Sequence, residues 1–120
     1  MTQSTLSVTS FADAPVSEQH AAQDAARVIE GAPRHTTRSY FESADGSFSA
    51  GTWECTPGKW RALTGKDELC YIVKGHLRLI SDTGQSRTFK TGDTFVIPDG
   101  FIGFWEVLEP TIKHYAVRKY

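Results

Sequence analysis

Glu68 is the acid whose setting could do chemistry. It leads into the apolar run Leu69–Val73, and Cys70 shares its face if that run is extended, because side chains alternate along a strand. A carboxyl turned into a protein interior without a partner is pushed up in pKa, which suits general acid or base work. An inward Lys113 or Arg61 would do the opposite and keep it charged. Lys113 and Tyr115 share a face of the run Ile112–Arg118, so an ammonium and a hydroxyl arrive together. Glu68, Lys113 and Tyr115 are therefore the candidate catalytic residues. The competing reading of Glu68 is an ion-paired or hydrogen-bonded acid that anchors a strand corner.

Five further residues are candidates for ligand binding: Trp53, Cys55, Arg61, Cys70 and Trp105. The chain has three tryptophans, and with Tyr71 and Tyr115 they make a large aromatic supply for 120 residues. Small-ligand pockets are commonly apolar and aromatic concavities with a few placed polar groups. Core or interface packing competes for the same rings, and Trp53 and Trp105 are preferred as pocket walls. Arg61 and Lys59, beyond the Pro57-Gly58 turn, could hold a carboxylate at a rim, although solvated rim charge is the commoner explanation. Cys55 and Cys70 could serve as nucleophile or soft metal ligand. Nothing near them lowers a thiol pKa, and cysteine is among the most buried residue types, so small core residues are the base-rate reading.

The elements that must position these groups are strands. After Pro33 come runs rich in Val, Ile, Thr and aromatics at 36–42, 48–55, 60–63, 68–73, 76–81, 87–90, 94–97, 103–108 and 112–118. Turn signals separate them, including Pro57-Gly58, Lys74-Gly75, Asp82-Thr83-Gly84, Thr91-Gly92, Pro98-Asp99-Gly100 and Glu109-Pro110. Many short strands with glycine turns predict a sandwich or small barrel. Residues 1–27 read as an N-terminal arm, and residues 28–120 as the barrel domain. Within Ser17–Glu30 an alanine-rich stretch with a Ser17 cap and a Gly31 stop favours a short helix, with a short strand at 27–30 as the alternative.

A net charge of −1 with no basic cluster argues against a nucleic-acid partner. The first residues carry neither a basic start nor an apolar run, and no stretch is long and apolar enough for a membrane helix. A cytoplasmic protein with two free thiols is expected.

Two corners carry a family resemblance. Glu68 to Gly75 (ELCYIVKG) keeps the Glu-x6-Gly ending of the first cupin motif, and Gly92 to Gly100 (GDTFVIPDG) keeps the G-x5-P-x-G core of the second. With Gly51–Trp60 and Gly103–Val107, they resemble the small single-domain cupins of the ureidoglycine-aminohydrolase and ethanolamine-utilisation type, over roughly residues 28–118. The resemblance implies an all-β fold, the cupin double-stranded β-helix or jelly-roll barrel. It further implies a homodimer and a pocket inside the barrel mouth, which Trp105 would face, being two residues after the motif position Gly103. The usual metal ligands are replaced: Ala62, Thr64 and Gly103 stand where cupin histidines would be. The expectation is a small-molecule-binding cupin of unknown substrate, with no cofactor. Two alternatives stand beside it. One is a metal-independent isomerase or hydrolase for a small acidic or ureido-like metabolite, with Glu68 as acid or base. The other is a metal cupin with substituted ligands, Glu68 with Cys55 or Cys70 and a strand-end histidine.

Overall fold

The structure is a computed structural model, and residues 6–120 are described. Nine antiparallel strands make up the fold of the described residues: β1 (Ser17–Ala22), β2 (Val28–Gly31), β3 (Arg34–Glu42), β4 (Phe48–Cys55), β5 (Gly58–Leu63), β6 (Lys66–Ser81), β7 (Ser86–Lys90), β8 (Thr94–Ile97) and β9 (Ile102–Lys119). No helix occurs among the described residues, in keeping with the all-β cupin fold.

Two long strands organise the rest. The C-terminal half of β9 lies between β4 and the first half of β6, and the β6 half also pairs with β8. The N-terminal half of β9 lies between β5 and the second half of β6, and that half pairs with β7. The order β1-β3-β4-β9-β6-β8 thus makes one face and β2-β5-β9-β6-β7 the other, joined through the bent β6 and β9. Strands that bend from one sheet into another are how orthogonal sheets close round a core.

The bends fall where turns were expected. Lys74-Gly75 and Glu109-Pro110 do not reverse the chain. Each lies inside a long strand, so the four runs at 68–73, 76–81, 103–108 and 112–118 merge into two. The ladder between β6 and β9 is irregular from Ile72 to Leu77, opposite Glu109 to Ile112, and Pro110 has no ladder partner there. A proline lacks the N–H a regular ladder needs, so it is tolerated at such an irregularity.

The expected helix within Ser17–Glu30 is also corrected. Ser17–Ala22 pairs with Ser39–Arg34, and Val28–Gly31 pairs with Trp60–Gly58. Every residue of β1 is exposed, so an alanine face there had nothing to bury, and edge pairing satisfies the backbone groups instead. The short-strand alternative at 27–30 matches β2 closely. Between the two strands Asp24 shapes a tight turn, accepting from the Ala26 N–H at its side chain and from the Arg27 N–H at its carbonyl.

Alternation then fills the space between the faces. Cys55, Trp60, Ala62, Cys70, Ile72, Leu77, Leu79, Ile97, Trp105 and Val107 form one buried cluster, drawn from alternate positions of β4, β5, β6, β8 and β9.

Candidate functional site

The interior is not filled throughout. An open cleft of about 520 Å³ enters between the β3–β4 side of one face and β5 of the other, with Trp53, Trp60, Trp105, Glu68, Lys113 and Tyr115 in its lining. Its floor is an ion pair. Lys113 Nζ donates to Glu68 Oε2 at 2.6 Å, with the two side chains 5% and 11% exposed. The pair has no direct ladder register. Glu68 faces Val117 across β6–β9 and Lys113 faces Ile72, so the long lysine reaches diagonally along the inner face.

Aromatic rings cover the ammonium. Lys113 Nζ stands 4.7 Å from the centroid of the Trp53 ring and 4.4 Å from that of Trp105. Trp60 stacks on Trp105 at 6.1 Å with an interplanar angle of 1°, and Trp53 lies tilted against both. A cation over an indole face gains more once water is excluded. Lys113 therefore sits in a box of two indoles closed by one carboxylate, with Cys70 Sγ 3.6 Å away.

These neighbours set the charges. Burial pushes the Lys113 ammonium towards its neutral form, but the Glu68 carboxylate more than offsets it and holds the lysine pKa above its ordinary value. Burial likewise pushes Glu68 up, while Lys113 and, more weakly, Lys66 bring its carboxyl net below the ordinary range. Tyr115 is raised, first by burial and then by the nearby Glu68, so it offers a neutral hydroxyl. Burial lowers His35, a lining residue whose Nδ1 is buried without a hydrogen-bond partner among the described residues.

The structure does not bring all eight candidates to one surface. Glu68, Lys113, Tyr115, Trp53 and Trp105 meet at the cleft. Arg61 also lines it, but its N–H donates to the Arg27 carbonyl and its guanidinium stands 5.5 Å from the Phe104 ring centroid. Arg61 and Phe104 pair in the ladder, and both alternate with inward residues. Cys55 and Cys70 lie behind the wall at 3% and 0% exposure, and burial pushes both thiols up to about 12. They are protonated at neutral pH and poor nucleophiles.

Three cations in the lining escaped the sequence analysis: Arg27, Lys66 and Lys119. Parity alone would have found the two lysines. Lys66 lies two residues before Glu68 on β6, and Lys119 two after Val117 on β9. Arg27 had no such signal, because a turn outside the barrel strands brings it there.

A cupin-type metal does not fit these residues. Among the described residues no three His, Cys, Asp or Glu side chains converge on one point. The carboxylate at the motif position is engaged by an ammonium, which repels a metal ion. Ala62 and Gly103, two of the places where imidazoles would stand, face each other across β5–β9. At Gly103 there is no room for one: a Cβ would lie 2.0 Å from the Ile80 carbonyl oxygen.

Residues 42–115 match the family model described as the EutQ-like cupin domain. Among solved structures, the chain is similar to a protein of unknown function of the DUF861 family from Pseudomonas syringae pv. tomato. The two share 25% identity with a TM-score of 0.76, over 88% of this chain and 46% of the other. The chain thus spans less than half the length of that relative. It is also similar to EutQ from Clostridium difficile, at 21% identity and TM-score 0.64 over 72% and 69% of the two chains. A third likeness is to a DUF861 family protein from Thermotoga maritima, at 31% identity and TM-score 0.52 over 53% and 73%. None of the curated proteins matches the sequence.

Proposed function

Because the chain belongs to the EutQ-like cupin domain family, we propose that it binds a small molecule in the cleft between its two sheet faces. One observation carries the reading. A cleft of about 520 Å³ is walled by Trp53, Trp60 and Trp105 and floored by a buried, charged Lys113–Glu68 pair. That volume falls in the usual range for small-molecule pockets, and its make-up of aromatic surface with a few placed polar groups is the usual one. Tyr115 adds a hydroxyl to the wall.

Binding is favoured over acid–base catalysis by the state of Glu68. An acid held ionised by a lysine at 2.6 Å is a poor proton donor at neutral pH, and its Oε2 already accepts from the ammonium. In this reading Glu68 sets the position and charge of Lys113. Saturation-transfer NMR of the protein against a metabolite library tests it. Hits are expected whose signals vanish in the Trp53→Ala variant; a library without a hit that depends on Trp53 overturns the proposal. Turnover of a hit that is lost in Glu68→Gln with binding retained would replace it with the enzymatic reading.

The same reading has the protein in the cytoplasm as a homodimer. The outer face of β6 and β8 supports the dimer: Leu69, Tyr71, Val73 and Val96 are all exposed there, with Leu69 and Val96 paired in the ladder.

A further inference from the structure

We propose that the ligand of this cleft is a small anion carrying two or more negative oxygens, carboxylate or phosphate, gripped at the mouth by Lys66 and Lys119. The inference rests on the pocket reading above and names the chemical class the pocket takes.

The first observation is a ladder position that a sheet ordinarily avoids. Lys66 and Lys119 are direct partners across β6 and β9, at the ends of both strands. Like charges directly opposite one another destabilise a sheet. Both have the parity of inward neighbours, Glu68 on β6 and Val117 on β9, and both line the cleft. Two lysines directly opposite each other at strand ends, both lining the cleft, can bring their ammonium groups to one bridging anion.

The second observation is where the negative charge went. The chain as a whole carries −1. Yet among the described residues Glu68 is the only acid in the cleft lining, and Lys113 already takes it. Arg27, Lys66 and Lys119 in the same lining have no carboxylate within 4.0 Å among the described residues. The neighbouring Asp67 turns to the other face, where it accepts from the Asp99 N–H and the Tyr120 hydroxyl. A cleft lined by one sign of charge concentrates ions of the other sign.

The third observation removes the competing class. Indole faces backed by a carboxylate would otherwise suit an organic cation. Here the protein's own ammonium, Lys113, occupies that box between Trp53 and Trp105. What the cleft leaves unmatched is positive charge at the mouth and the partly exposed Trp53 beside it. An anion with a planar or aliphatic body fits both.

The test uses the intrinsic fluorescence of the protein, since all three of its tryptophans line the cleft. Citrate, inorganic phosphate, glycerol and choline are titrated at constant ionic strength. Citrate or phosphate is expected to change the emission saturably and at least tenfold more tightly than glycerol or choline, and whichever binds tells carboxylate from phosphate. The variant Lys66→Gln/Lys119→Gln, at strand ends outside the core, is expected to keep its melting temperature and lose at least tenfold in affinity for that anion. Equal affinity in the variant, or glycerol or choline binding as tightly as the anions, overturns the inference. Silence from both anions while the metabolite library yields only neutral or cationic hits overturns it and leaves the pocket reading standing. Silence from the four probes and the library together removes both.

Discussion

Lys113 and Glu68 are the most buried ion pair among the described residues, and each depends on the other. Removing one partner of a buried pair strands the remaining charge, which typically costs about 3–5 kcal/mol, whereas replacing both by well-packed hydrophobic residues of similar volume is often neutral. Glu68→Gln should therefore destabilise the protein by about that amount in urea unfolding, and Glu68→Leu/Lys113→Met should recover most of it. The pH dependence has a definite sign. Glu68 is held below its ordinary pKa, so its contribution is present above the unfolded value and is lost as pH falls through the folded one. Lys113 is held above its ordinary pKa, so its contribution survives until pH rises through that higher value. Stability should thus be flat around neutrality and fall in acid, with a shallower acid fall in the double variant. The thiols give a second expectation at this scale. With Cys55 and Cys70 buried and pushed up to about 12, iodoacetamide at neutral pH should label neither in the native state and both after unfolding.

The bend shared by β6 and β9 is the element on which the site depends. It lets each strand serve both faces, so that Trp105 and Lys113, on one strand, approach the cleft from opposite walls. Gly75 makes the bend possible. Its φ of +135° is strained for other residues, and a Cβ would meet Thr111 Oγ1 at 2.3 Å and Thr111 Cα at 2.6 Å. Gly75→Ala should destabilise by about 1–3 kcal/mol and broaden the tryptophan emission as the cleft loosens. At the level of elements the sequence was legible where alternation and turn chemistry agreed. The bounds expected for β4 and β8 match those of the structure. It was not legible where a glycine or proline bends a strand without reversing it, because Lys74-Gly75 and Glu109-Pro110 look like turns until the partner strand is known. The alanine-rich segment at 17–30 failed for a related reason. Its helix propensity is local, and the exposed edge of β3 that captures it as β1 lies 12 or more residues away.

Over the whole molecule, charge is sorted between a nearly neutral chain and a cationic cleft, and apolar side chains collect on the outer face of β6 and β8. No helix of the described residues is long and apolar enough to cross a membrane. If the outer face joins two copies, Leu69→Glu should shift sedimentation from dimer to monomer while leaving the melting temperature of the fold within a few degrees, since Leu69 is 47% exposed in the single chain. A wild-type monomer at micromolar concentration would remove the dimer from the proposal. The sequence by itself determined the strand class, the two motif corners, the inward parity of Glu68 and Trp105, the shared face of Lys113 and Tyr115, and the replacement of histidines by Ala62, Thr64 and Gly103. The strand class and the shared faces follow from alternation and spacing, which are properties of neighbours along the chain, whereas the motif corners, the place of Trp105 and the replaced histidines come from the family resemblance. Only the tertiary structure decided that Glu68 and Lys113 are partners, that Lys113 lies between two indoles, that Arg61 turns away, and that Lys66 stands opposite Lys119. Those facts depend on strand register and on a bend. Register is set by the packing of residues dozens of positions apart, and a local pattern carries no record of it.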